Sequence, residues 1–207
     1  MGAELNAFVE ECQELDETLA GVPTQAWTRH ALGEWDVAQL VAHLVRAATR
    51  VATYLDFDVS GDPVVDRVSY WRYDHAAEGP EIARRAQEEA AKVDAETLPA
   101  LFTEAWRTSA ERAGEVGDSH VLHTLMGPMR IDEYLATRVL EVVVHHTDLR
   151  AARDLPAAST IAAARITMDI LERLLGEPRP RNLGRARFLQ VATGRLSSDD
   201  PRFPVLR

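Results

Sequence analysis

Apolar residues recur at helical spacing along most of the chain. Leu5, Phe8, Val9, Cys12, Leu15 and Leu19 fall on one stripe, which predicts a helix over residues 4–20 that stops before Gly21 and Pro23. A loop carrying Trp27 and Trp35 follows. Asp36 and Gln39 then form a capping-box pair that opens a second helix, running to Leu55 with Leu40, Val41, Leu44, Val51 and Leu55 on its apolar arc. Residues 56–79 hold Gly61, Pro63, Gly79 and the aromatic run YWRY, and read as a loop with a short helical piece. Helices are predicted over 80–92, with Pro80 in the first turn, and over 96–113, with Pro99 near its start. Gly117, Gly127 and Pro128 interrupt the pattern before a helix over 132–153. The stretch ASTIAAARITMDILERLLG is a further helix, capped by Ser159 or Thr160 and closed by Gly176. After a basic loop, FLQVATGRL fits either a short strand and turn or a final helix. Long helices joined by loops predict an all-α helical bundle, an architecture that builds sites from side chains facing inward on several helices.

Composition narrows the function classes. The 207 residues are enough for one domain with a sizeable core. A formal net charge of −10 argues against a surface that tracks nucleic-acid phosphates. The longest apolar runs are too short to span a membrane, and the acidic N-terminus does not read as a secretory signal. The one cysteine, Cys12, lies on the apolar stripe of its helix, so it reads as a packing residue and the expected setting is the cytosol. Thiol chemistry would then need a thiol from outside.

Candidate chemistry concentrates in EVVVHHTDLR. At about 100° per residue, Leu135, Val139, Val142, His146 and Leu149 lie along one line, while Tyr134, Arg138, Glu141, His145 and Asp148 form a second face. His146 therefore reads as a histidine satisfied by hydrogen bonding at a packed face. Glu141 and His145, at i and i+4, can converge on one ion. The default reading of that narrow strip is a solvated helix face. His43, at the edge of the second helix's apolar arc beside Ala47 and near Arg50, points at a neighbouring helix or a crevice. Together with Glu141 and His145 it would complete a His₂Glu set, the arrangement of catalytic zinc, and one that also suits nickel, iron or manganese. Asp148 and Arg138 would support the ligands from behind. Trp35, Arg50, Tyr134 and His123 are the candidates for the walls of an adjoining pocket. His120, His123, Met126 and Met129 read either as crevice lining or as ordinary loop residues, and His75 with the YWRY aromatics either covers a pocket or packs a loop. Arg195 and the GRAR stretch could meet a carboxylate or phosphate, solvated arginines being the default. No nucleotide-loop pattern is present.

The stretches EWDVAQLVAHLVRAATR and RIDEYLATRVLEVVVHHTDLRAA resemble the mycothiol-dependent maleylpyruvate isomerase N-terminal-domain family, within the DinB-like four-helix bundles. The first is similar to the family's W-x-V-x-x-L-x-x-H-L pattern. The second is similar to its R-x-x-E-x-x-x-H-x-x-D pattern, with Arg138, Glu141, His145 and Asp148 in place. The resemblance implies an up-down-down-up four-helix bundle over residues 1–155, with 156–207 as a C-terminal helix and short extension. It also implies a divalent metal, zinc first, on His43, Glu141 and His145, and mycothiol as co-substrate or cofactor. The implied reaction is S-transfer or isomerisation of a small electrophile by a monomer or homodimer, without nucleic acid or membrane. A non-enzymatic metal- or thiol-binding protein and a metal-assisted hydrolase with Asp148 or His146 as base are the alternatives. Two features depart from the family: Glu34 stands where glycine often precedes the tryptophan, and the segment after residue 155 is shorter than the family's C-terminal domain.

Overall fold

The computed structural model describes residues 2–57, 61–72 and 75–206, and in 75–78 the backbone alone. Tyr73 and the His75 side chain thus lie outside the described parts. The chain runs through α1 (Ala3–Ala20), β1 (His30–Leu32), β2 (Trp35–Asp36), α2 (Val37–Tyr54), α3 (His75–Ala90) and α4 (Leu98–Val116), then β3 (Val121–Thr124), β4 (Gly127–Arg130), α5 (Ile131–Ala152), α6 (Ile161–Leu175) and α7 (Arg185–Ala192).

Helices α1, α2, α4 and α5 close a ring in which α1 packs on α4 and α5, and α2 packs on the same two. Side-chain pairs give their directions. Ser109 of α4 bonds Ala48 and Ala52 of α2, and Arg112 reaches Ala52 and Asp56, so α2 and α4 run parallel. Glu11 meets His146 and Gly21 meets Arg153, so α1 and α5 also run parallel. Asp16 bonds Thr103 and Trp106 while Gly114 faces Leu5, and His43 meets Glu141 while Tyr54 meets Tyr134, so the remaining two contacts are antiparallel. The result is an up-down-down-up bundle. The long path from α2 to α4 is what allows two consecutive bundle helices to run the same way, and α3 lies along it against α2.

Local signals account for the helix ends. Asp36 accepts from Gln39 N while the Gln39 side chain accepts from Asp36 N, a complete capping box that starts α2. Thr160 caps α6 by accepting from Ala163 N, and Gly176 ends it at φ +84°, where a Cβ would be strained. Helix α5 is buried on nearly every side, as expected for a helix enclosed by α1, α2 and α6. Phe188 and Leu189 of α7 and Ile170 and Leu171 of α6 join the same core as the bundle residues. No described helix is long and apolar enough to cross a membrane.

Two expectations are corrected, and one open reading is decided. Helix α3 starts at His75, so Pro80 sits beyond its first turn, where its missing N–H removes one intrahelical bond near an end that tolerates the loss. FLQVATGRL is helical up to Ala192. The segments around Trp35 and His123, expected as loops, are antiparallel hairpins. Their strands are too short for alternation to register in the sequence. In β3 that alternation turns Leu122 and Thr124 inward and leaves His123 exposed.

Candidate metal centre

Antiparallel packing of α2 on α5 puts His43 across from two successive turns of α5. His43 Nε2 lies 2.9 Å from Glu141 Oε1, and the His43 and His145 rings meet edge to face with centroids 4.9 Å apart. One ligand atom from each of His43, Glu141 and His145 falls within 4.8 Å of the others, a grouping that could hold a metal ion. The three side chains keep 12–14% exposure, so the cluster opens to a crevice and is not sealed.

The surroundings fix the orientation and charge of Glu141 and His145. His145 Nδ1 is 3.0 Å from Asp148 Oδ2, which leaves Nε2 as the nitrogen available to an ion. Burial pushes the His145 pKa down, against the opposing effect of Asp148, which favours the neutral imidazole that donates a lone pair. Asp148 is itself gripped by Arg195, through Nε to Oδ1 at 3.1 Å and Nη2 to Oδ2 at 2.8 Å. Burial raises the Asp148 pKa, but the bonds from His145 and Arg195 outweigh it and hold the carboxyl below its usual value. Burial also opposes ionisation of Glu141. The Arg138 guanidinium, 3.4 Å from Oε2, and the bond from His43 overcome that penalty and hold Glu141 well below the usual carboxylate range. Arg138 sits against the rings of Tyr134 (4.8 Å to the centroid) and Tyr70 (5.5 Å), a cation–π clamp that fixes it beneath Glu141. A neutral histidine, a stabilised carboxylate and a second histidine form a donor set that fits a divalent ion of the zinc type.

Two cavities meet at this cluster. The larger, about 430 Å³, is walled by Tyr54, Tyr70, Trp71 and Tyr134 together with Arg46, Arg50, Arg85 and Arg138. The smaller, about 320 Å³, is more apolar, with Leu32, Trp35, Leu140, Val144 and Leu206 on its walls and Arg195 at its side. His43 and Glu141 line both. The β1–β2 hairpin delivers Trp35 directly ahead of α2, and its ring lies 5.0 Å from His43 and 6.3 Å from His145.

Among the pocket candidates, Trp35, Arg50 and Tyr134 line these cavities and His123 lines neither, because it faces outward from β3. Met126 of the β3–β4 turn reaches the larger cavity, His120 is exposed and Met129 is buried core. His146 lies on the other side of α5. It is fully buried, with Nδ1 2.9 Å from Glu11 Oε1 and Nε2 2.8 Å from Thr18 Oγ1. The hydrolytic base named in the sequence thus has no free candidate: His146 is enclosed away from the cavities and Asp148 is engaged by His145 and Arg195. Arg46 and Arg85 went unrecognised. Arg46 was within reach, since it stands one turn from His43 on α2, but Arg85 comes from α3 and no local pattern links it to the site. Arg195 defaulted to solvent in the sequence for the same reason.

The model of the family described as "Mycothiol maleylpyruvate isomerase N-terminal domain" matches residues 8–150 of the chain. Among solved structures, a crystal structure of the mycothiol-dependent maleylpyruvate isomerase is similar at TM-score 0.57 and 17% identity, covering 84% of this chain and 70% of that one. A histidine-to-alanine mutant of that isomerase is similar at TM-score 0.58 and 16% identity over the same shares. No curated protein sequence matches.

Proposed function

The chain belongs to the mycothiol maleylpyruvate isomerase N-terminal domain family, and on that premise we propose that it is a metal-binding, mycothiol-dependent enzyme acting on a small electrophile. The proposed reaction is addition of the mycothiol sulfur to an electrophilic carbon, followed either by its departure from a rearranged product or by its retention as a thioether. The observation that carries this reading is the convergence of His43, Glu141 and His145 at the junction of two cavities. A divalent ion bound there would supply positive charge that lowers the pKa of a nearby thiol and favours its anion.

The protein's own residues then have defined tasks. Asp148 holds His145 Nδ1–H, so that Nε2 presents a lone pair toward the crevice. Arg138 keeps Glu141 anionic and is itself fixed by two tyrosine rings. Trp35 covers one side of His43 and His145 and keeps water from that side. Cys12 is fully buried, and burial pushes its thiol pKa well up, so it is no candidate for the nucleophile and the sulfur must come from outside.

The test is metal analysis of purified protein followed by calorimetric titration with mycothiol. The expected result is close to one divalent ion per chain, lost in His43→Ala, and mycothiol binding only to the metal-loaded protein. Full metal retention in His43→Ala, or equal mycothiol binding with and without metal, would overturn the reading. Metal-dependent thiol binding without turnover of any electrophile would point instead to a non-enzymatic binding protein.

A further inference from the structure

The larger cavity holds a concentration of positive charge that the proposed metal and thiol chemistry does not use. Among the described residues four arginines line it against one carboxylate, Glu141, in a protein whose formal net charge is −10. Two of the four are neutralised: Arg138 faces Glu141, and Arg85 donates to Glu81 at 2.7 Å. Arg46 has Glu89 at 3.7 Å, beyond hydrogen-bonding distance. Arg50 has no ion pair or hydrogen bond among the described residues, and its guanidinium lies 5.8 Å from the centroid of the Tyr54 ring.

Arg46 and Arg50 are also four residues apart on α2, an arrangement of like charges that destabilises a helix. The effect registers on Arg46, whose pKa is lowered by burial first and by Arg50 second, with Glu89 in opposition. An ordinary exposed face would separate such charges or pair them. Here both line a half-enclosed, aromatic-walled cavity that ends at His43 and Glu141, and both also border the neighbouring groove beside Glu89 and Lys92. Low-dielectric walls concentrate the field of charges placed this way.

We propose that Arg50 and Arg46 form an anion subsite in the larger cavity, binding a carboxylate or phosphate group on the molecule that approaches His43 and Glu141. Arginine forks match both groups. Along α2, Arg46 stands about 4.5 Å and Arg50 about 10 Å from His43 in axial rise. The anionic group is therefore separated from the reacting atom and not adjacent to it, and Arg50 serves as a specificity-determining residue. Naming that molecule as the reacting electrophile rests on the proposed function, whereas the subsite itself does not.

The test is calorimetric titration of the full chain with inorganic phosphate, propionate and succinate, with and without bound zinc. The expected result is saturable binding of at least one anion in both states, weakened roughly tenfold or more in Arg50→Gln and unchanged in the distant surface variant Arg202→Gln. Tighter phosphate binding assigns a phosphate-bearing ligand, and tighter propionate or succinate binding assigns a carboxylate-bearing one. Arg50→Gln should also leave the anion-free Tm unchanged or higher, because it relieves Arg46, and Arg50→Lys provides a charged control. Absence of saturable binding by all three anions, or wild-type affinity in Arg50→Gln, overturns the subsite. Anion binding that persists in a protein unable to bind zinc or mycothiol leaves the subsite standing and removes the proposed function.

Discussion

Helix α5 carries two histidine–glutamate pairs of almost the same geometry on opposite sides. His43 meets Glu141 at 2.9 Å on the crevice side, and His146 meets Glu11 at 2.9 Å on the α1 side. Their chemistry differs because their remaining valences differ. Both nitrogens of His146 have partners, and the second oxygen of Glu11 accepts from Thr160 N at 2.8 Å, so that cluster is complete and binds three helices together. Around His145 the Nδ1 side is tied to Asp148 while the other nitrogen is left for Glu141, His43 and the smaller cavity. Identity and distance of the partners are the same in the two clusters. What separates a latch from a candidate site is whether polar capacity is used up inside the protein.

The sharpest way to break this comparison is to remove each histidine in turn. His145→Ala is expected to abolish stoichiometric zinc binding with little loss of stability in the metal-free protein. His146→Ala should retain zinc and lose roughly 3–5 kcal/mol of unfolding free energy, because Glu11 is left buried without its partner. Metal analysis and urea denaturation of the two variants decide it, and the opposite pattern would reverse the assignment of the two faces. A smaller effect is expected from Asp148→Asn, which keeps the shape but weakens the hold on His145. Zinc affinity measured by competition with a chelator should fall about 10- to 100-fold.

Acid should probe the crevice side. Burial depresses the His145 pKa, so between that lowered value and the usual histidine value of about 6.5 the unfolded chain takes up a proton that the folded chain refuses. Stability of the metal-free protein therefore rises with pH through this window. Glu141 and Asp148, both held below their usual values, extend the loss toward lower pH. Thermal melts from pH 7 downward should show a decline that begins near pH 6.5 and is flattened at its upper end in His145→Gln. A decline unchanged by that substitution would assign the proton uptake elsewhere. The smallest expected effect is Thr18→Val. Losing the hydroxyl that meets His146 Nε2, Arg150 Nη1 and the Glu14 carbonyl should cost about 1–2 kcal/mol in denaturant unfolding, with zinc content untouched.

Much of this division was legible in the sequence, because helical phase is a local property. The angle between Val142 and His145 on one helix separates His146 from the Glu141 strip without any tertiary information. The Asp36–Gln39 box and Gly176 likewise mark ends by local hydrogen bonding. What escaped depends on contacts between elements. Trp35 was legible as a pocket candidate, but the hairpin that brings it to His43 was not, because its strands are too short to show alternation, and Arg85 comes to the larger cavity from α3. His123 was misplaced because the β3 pleat, and not a helical wheel, sets the direction of its side chain.

Arg195 ties the crevice to the C-terminal tail. Its guanidinium grips both oxygens of Asp148, the carboxylate that also holds His145, and it leaves α7 at the start of a tail whose residues 205 and 206 are bonded back to Ala192. Leu206 from that tail is part of the smaller cavity's wall. Loading the crevice and fastening the tail are therefore two ends of one lever. By reciprocity, whatever free energy zinc binding at the proposed site adds to the hold on the tail is the zinc-binding free energy lost when the tail is cut, so zinc should slow proteolysis beyond Arg195 and removal of the tail should weaken zinc binding.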